Sequence, residues 1–252
     1  MEYGGGSDPK RSMELLWGIR EAPSRGPKQR LSLAEVVRAA IELADVDGLG
    51  VLSMRRVAER LGIGTMSLYT YVPAKAELID VMVDTALGEL PRQAGVEGGW
   101  RARLERIARD NWATYRRHPW LLQVPITRAV LGPNVIAKYD HELRAVDGIG
   151  LTDLQMDSVL TLVLGHVHGT ARAAAEVVQV ERQTGLTDEQ WWEAHAPLLD
   201  KVFDASRYPL AARVGAAAGT EHQAPYAPEH AFEFGLQRVL DGIEAFVEAR
   251  SG

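Results

Sequence analysis

The stretch from Leu52 to Leu78, LSMRRVAERLGIGTMSLYTYVPAKAEL, constrains this chain more than any other. It predicts two short helices joined by a tight glycine turn. Ser53 is placed to cap a run in which Val57, Ala58 and Leu61 share one helical face while Arg55, Arg56 and Arg60 lie elsewhere. Gly62-Ile63-Gly64 ends that helix, because glycine supplies the positive φ of the turn and Ile63 can plug the gap between the helices. The second helix is expected from Thr65 to Tyr71, stopping near Pro73, whose ring disfavours helix at the residue before it. Its inward positions are Leu68 and Val72, which leaves Thr65, Met66, Ser67, Tyr69, Thr70 and Tyr71 largely free. So short a helix adds little core. Small polar and aromatic side chains on it suit presentation to a DNA major groove.

Charge supports that reading through its distribution. The chain of 252 residues carries a net charge of −6, yet residues 9–75 sum to +4 and residues 76–252 to −8. A basic amino-terminal part on an acidic body fits a protein that meets phosphate at one end only, although solvated charge on two helical domains gives a similar pattern. There is no cysteine, which excludes disulfides, a thiolate nucleophile and a cysteine-ligated zinc. No uncharged run approaches a membrane span and no secretory signal precedes the domain, so the expected setting is cytoplasmic.

Taken in order, the pattern is all-α. Residues 1–30 read as a flexible basic extension, in which Ser12 to Ile19 can form one or two turns docking Leu15, Leu16 and Trp17. Arg25, Lys28 and Arg30 then make an arm able to follow phosphates, or simply a solubilising linker. A domain over 31–91 opens with the capping box Ser32-Leu33-Ala34-Glu35, followed by the stripe Leu33, Val36, Val37, Ala40, Ile41 and Ala44. A further helix from Lys75 to Leu90 carries Leu78, Ile79, Met82, Val83 and Leu87. Pro91 and the glycine-rich segment 95–99 mark the boundary. A larger helical domain spans 100–250. Within it, Asp153 to Gln183 is apolar on more than one face, so one face is expected to meet a second copy of the chain. Thr187 and Gln190 cap a helix interrupted at Pro197, residues 215–228 look like a loop, and Pro228 to Arg250 forms the last helix.

From Ser53 to Leu78 the pattern S-M-R-R-V-A-x-x-L-G-I-G-x-x-S-L-Y-x-Y-V-x-x-K-x-E-L resembles the tetracycline-repressor (TetR) family of one-component transcription regulators. The likeness extends more weakly through the body, including FEFGLQRVLDGIEAFV from Phe232 to Val247. It implies a helix-turn-helix head, a ligand-binding and dimerisation body, and homodimerisation through the helices at 153–183 and 228–250. Carried over from the family, Arg55, Thr65, Met66 and Tyr69 are candidates for base edges, and Ser53, Ser67, Thr70, Tyr71 and Lys75 for phosphates of a double-stranded operator. A small-molecule inducer is expected in the body, its pocket drawn from Trp112, Tyr115, Trp120, Leu164, His168, Arg172, Trp191, Trp192 and Phe203. The same residues at helical spacing are equally ordinary core. Where the family's namesake fixes a magnesium–drug chelate with a His and a Glu, this chain carries Gln123 or Val124 and Gly169. A ligand held by shape, aromatic walls and His168 is expected instead, with no metal or cofactor.

Catalytic signals are thin. His166 and His168 stand about 200° apart on a helix of 3.6 residues per turn, and Glu193 and His195 share that defect as ligands. H-x-x-x-H, G-x-S-x-G, Walker and G-x-G-x-x-G patterns are absent, which argues against an enzyme. Two rival readings stand beside the regulator. A helical interaction protein would show no salt-dependent duplex binding. A helical ligand-binding protein or enzyme with a non-functional head would bind or convert small molecules and footprint nowhere.

Overall fold

The computed structural model describes residues 8–19, 31–92, 98–125, 129–222, 224 and 226–251. Among them every regular element is helical. The head comprises α1 (Pro9–Leu16), α2 (Leu33–Asp47), α3 (Met54–Arg60), α4 (Thr65–Leu68) and α5 (Lys75–Gly88). The body comprises α6 (Gly99–Arg117), α7 (Pro133–Leu143), α8 (Asp153–Thr184), α9 (Asp188–Val202), α10 (Pro209–His222) and α11 (Pro228–Ser251). A 3-10 turn at Pro119–Gln123 follows α6.

Local chemistry sets the ends of these helices. The Ser32 hydroxyl accepts from the Glu35 amide at 3.2 Å while the Glu35 carboxylate accepts from the Ser32 amide at 2.7 Å, so α2 begins on a complete capping box. Thr152 with Gln155 and Thr187 with Gln190 start α8 and α9 in the same way. In the head, the α2 stripe Val36, Val37, Ala40 and Ile41 packs on Val57 and Ala58 of α3, on Leu68 and Val72, and on Leu78, Ile79 and Met82 of α5. In the body, Leu104, Ile107, Ala108 and Trp112 of α6 meet Val159, Val163 and Val167 of α8 and Phe232, Leu236 and Leu240 of α11. Trp112 stacks on Phe232 with ring centroids 4.4 Å apart. Each such fully buried aliphatic side chain contributes about 1.5–3 kcal/mol, so the two clusters account for two separate cores.

One helix joins the head core to α7. α5 completes the head core on one side, and on the other it grips α7. No side chain of α7 itself caps its first turn. Asp84 of α5 does so from outside, accepting from the amides of Asn134 (2.9 Å) and Val135 (3.0 Å) and from the Asn134 side-chain amide (3.0 Å). A carboxylate at a helix start also meets the positive end of the helix dipole. Gly132 is dictated by this contact, since a Cβ there would lie 2.1 Å from the Asp84 carboxylate.

Three sequence expectations are corrected. Residues 215–228 were expected as loop, but α10 continues to His222. Ala216, Ala217 and Ala218 are the best helix formers available and outweigh the two glycines beside them. Pro197 does not interrupt α9, which runs through it. Proline there removes one backbone bond, and the carbonyl it releases belongs to an exposed turn. The 1–30 extension was expected to be flexible with at most two turns from Ser12, whereas α1 starts at Pro9 on an Asp8 cap and buries Leu15 in the head core. The basic arm Arg25, Lys28 and Arg30 lies outside the described residues.

Gly132→Ala is expected to push Asp84 off the start of α7 and lower stability by about 1–3 kcal/mol, as overpacking does. Denaturant unfolding of the two proteins measures it.

Candidate functional site

The α3–α4 unit is built to present a short helix rigidly. Ser53 caps α3, its hydroxyl accepting from the Arg56 amide at 3.3 Å. The turn is a Schellman motif: the Gly62 amide donates to the Glu59 carbonyl (3.2 Å) and the Ile63 amide to the Ala58 carbonyl (3.0 Å). Gly62 takes φ +66°, where a side chain is strained. α4 itself spans Thr65–Leu68, and single turn bonds carry the chain on to Val72. Leu68 and Val72 are fully buried and pin this segment to the head core. Met66 is 78% exposed and Tyr69 40%, large apolar surface that the head core does not use.

The other candidates for DNA contact fall into two groups. Ser67, Thr70 and Arg55 are exposed. Thr65, Ser53, Tyr71 and Lys75 are half-buried, and Tyr71, expected to be largely free, packs partly against the head core. Arg55 donates through Nε to Glu59 at 2.7 Å, a bond that holds its guanidinium charged and parks it on α3. The Thr70 hydroxyl donates to the Ser67 carbonyl at 2.7 Å, so it can give a hydrogen bond to phosphate only by releasing that carbonyl. The Lys75 ammonium reaches the Leu49 carbonyl at 3.4 Å. Arg56 and Arg60 pair with Asp47 (2.6 Å) and Glu42 (3.0 Å) on α2, which fixes α3 against the scaffold helix.

In the body the structure brings together part of the expected pocket. Tyr115 touches both cores and meets the His168 ring edge-on, 5.7 Å between centroids. Leu164 and Trp112 belong to the same α6–α8 layer. The His168 Nε2 is buried with no hydrogen-bond partner, a polar atom that a bound molecule would satisfy. Burial, then the Arg172 charge, lowers the His168 pKa. Burial, then the Glu142 charge, pushes the Tyr115 phenol up to about 12, so it stays a neutral donor. Arg172 itself is exposed and bonded to Glu176 at 3.2 Å.

Trp120 is corrected. It is 1% exposed within the head core, and its indole N–H donates to Asp45 at 2.8 Å. The rings of Trp191, Trp192 and Phe203 pair with other side chains than Tyr115. α9 has no buried residue, Trp191 stacks on His195 at 4.0 Å, and Phe203 stacks on Tyr208 at 6.0 Å.

Sequence reasoning missed two polar clusters. Asn111 donates to Glu142 at 2.8 Å, and Lys138 pairs with the same carboxylate at 2.7 Å, next to Tyr115. An asparagine inside the stripe Leu104, Ile107, Ala108, Trp112 was the available signal. At the joint between head and body, buried His118 lies 2.7 Å from Asp45 of α2 and 3.4 Å from Glu89 just after α5. Trp120 and Arg117 reach the same two carboxylates. The His118-Pro119 pair reads in the sequence only as a helix breaker.

Comparison with known proteins decides the family. The description "Bacterial regulatory proteins, tetR family" matches residues 36–82, and "Tetracyclin repressor-like, C-terminal domain" matches residues 91–247. The chain belongs to the TetR family. It is a DNA-binding transcriptional regulator of that family, with a helix-turn-helix in its head. The HTH-type transcriptional repressor DrrR1 of Streptomyces coeruleorubidus is 46% identical over all of this chain and 91% of its own length. An HTH-type transcriptional regulator of Saccharopolyspora erythraea is 31% identical over 82% of this chain and 93% of its own. Among solved structures, the TetR-family protein ActR of Streptomyces coelicolor in complex with actinorhodin superposes with TM-score 0.69 at 25% identity, covering 87% of this chain and 99% of that one. Among the described residues every regular element is helical, and none of the described helices is long and apolar enough to cross a membrane.

The lowered His168 pKa has a measurable sign. An unfolded histidine takes up a proton below about pH 6.5, whereas the folded chain resists it, so the stabilising contribution is complete above that pH and lost as pH falls through the folded value. The thermal midpoint is expected to drop more steeply between pH 7 and pH 5 in the wild type than in His168→Gln, followed by calorimetry at matched ionic strength.

Proposed function

We propose that this regulator is a homodimeric repressor that holds a palindromic operator through two α3–α4 units and is released by a small hydrophobic or aromatic molecule. The observation that carries the DNA half is α4 itself, a four-residue helix anchored by fully buried Leu68 and Val72 while Met66 and Tyr69 stand out in solvent. Arg55, Thr65, Met66 and Tyr69 are the proposed base-edge readers, with Arg55 exchanging Glu59 for the two acceptors of a guanine. Ser53, Ser67, Thr70, Tyr71 and Lys75 are proposed to hold phosphates and set register. DrrR1, named a transcriptional repressor, supports the sense of regulation.

The dimer is proposed through α8 and α11. A groove of about 450 Å³ runs between them, lined by Ser158, Val159, Leu162, Val239, Ile243 and Phe246 among others. Leu162 is 54% exposed and Phe246 42%, an apolar face of the kind a second copy covers. As pocket walls, Trp191, Trp192 and Phe203 need α9 to lie over a body, and the dimer is what supplies one.

The effector is proposed to sit among Tyr115, His168, Leu164 and Trp112, with Asn111 and Glu142 as polar anchors. The ActR–actinorhodin complex supports a small-molecule site in a body of this shape. Ligand that displaces the end of α6 would move His118, whose ring lies between Asp45 of the head and Glu89 beyond α5, and so tilt α5. Only a ligand with different affinities for the two tilts can act this way. Equal operator affinity with and without saturating effector would refute it.

Three outcomes are expected. In a gel shift against DNA flanking the gene, wild type gives a specific, salt-sensitive complex that Tyr69→Ala loses at unchanged thermal stability. Lys75→Ala weakens binding on all sequences and reduces the log–log salt slope by about one. Leu162→Glu, which buries a charge in the proposed dimer face, yields a monomer by light scattering. A helical binding protein with an idle head would show no shift at all.

A further inference from the structure

α1 precedes the matched head region, which begins at residue 36, and nothing in the reading of DNA described above uses it. It is nevertheless fastened at both ends. On α5, the Asp8 amide donates to Glu77 Oε1 at 3.3 Å, and the Ser12 hydroxyl donates to Asp80 Oδ2. Leu15 is 8% exposed in the head core, and Ser12 is 7% exposed. Beyond the end of α1, the Trp17 indole N–H donates to the carbonyl of Leu131 at 2.9 Å. Leu131 lies in the segment that enters α7, the same helix whose first amides are held by Asp84 of α5.

We infer that α1 is a strap that fixes the tilt of α5 against the body, with Ser12 and Trp17 as its positioning residues. The geometry requires two tethers for this. Asp84 joins α5 to α7 near the end of α5, where Gly88 also packs on Asn134 and Glu89 meets His118, and a helix held at one end pivots about it. Asp80 lies one turn away, about 6 Å along the axis at 1.5 Å per residue. A second line from Asp80 through α1 to Leu131 closes a triangle of α1, α5 and the start of α7, and a closed triangle fixes the angle. α5 buries Leu78, Ile79 and Met82 in the head core, so its tilt is the tilt of the head. The two ends of the strap differ: the Ser12 contact is buried, whereas Trp17 is 43% exposed, which makes the Leu131 end the one that opens.

The inference rests on head–body coupling in the proposed function, but its test needs neither DNA, effector nor dimer. The chain contains no cysteine, so Arg38→Cys in the head and Asp147→Cys in the body, both exposed positions, give clean sites for a spin-label pair. Dilution of the labelled chain with unlabelled chain confines each distance to one protomer. Ser12→Ala and Trp17→Phe are then compared with the parent by pulsed dipolar spectroscopy. Each is expected to shift or broaden the head–body distance by roughly 2 Å or more, the scale of helix movements in switching proteins, with the thermal midpoint nearly unchanged for Trp17→Phe and lowered for Ser12→Ala, which takes a donor from buried Asp80. If Ser12→Ala folds poorly, Trp17→Phe decides alone, because it keeps an aromatic ring at an exposed position and removes the indole N–H. An unchanged distance distribution in the variants overturns the strap. A chain that failed to bind DNA or to dimerise would leave this readout intact, so the two readings fail separately.

Discussion

The structure depends on how α5 accommodates three buried carboxylates. Glu77, Asp80 and Asp84 are all 5% exposed or less, on a helix that also carries much of the head core. A buried charge without partners costs several kcal/mol, so a helix with three of them is stable only where its surroundings supply donors. Asp84 takes its donors from the start of α7, and Asp80 takes one from Ser12 of α1. The head therefore cannot be repositioned by sliding apolar surfaces alone. Any tilt of α5 carries these acceptors with it, which limits the head to arrangements in which donors are still within reach.

This arrangement explains why the head was more legible in the sequence than its connection to the body. The capping box at Ser32, the glycine turn after α3 and the inward pair Leu68 and Val72 are encoded within a few residues of where they act. α5 was legible as a helix, but its period only marked Leu78, Ile79, Met82, Val83 and Leu87 as apolar. Glu77, Asp80 and Asp84 fall outside that apolar set. What buries them is α1 and the start of α7, some 50 to 70 residues away in either direction, and no local pattern reports contacts at that range.

The aromatics of the body show the same limit. Helical spacing placed Trp112 and Tyr115 on one side of α6 but could not separate a wall from a core. Trp112 is stacked in the core on Phe232, and Tyr115 faces His168. Trp120 lies buried in the head core, and its indole shares Asp45 with His118. Asn111, Glu142 and Lys138 form a paired polar group beside Tyr115 because an amide or charge in an apolar layer must find partners there. The α9–α10 arm has no buried residue, and the proposed dimer would give it a surface to cover.

The central claim is that two heads, each angled by its α5, read successive major grooves of one operator. Hydroxyl-radical footprinting of the purified chain on its operator fragment tests this most directly. Two protected patches are expected, symmetric about a palindrome and one helical turn apart, about 34–36 Å or 10–10.5 base pairs. A single unpaired patch, or protection without two-fold symmetry, would contradict the account.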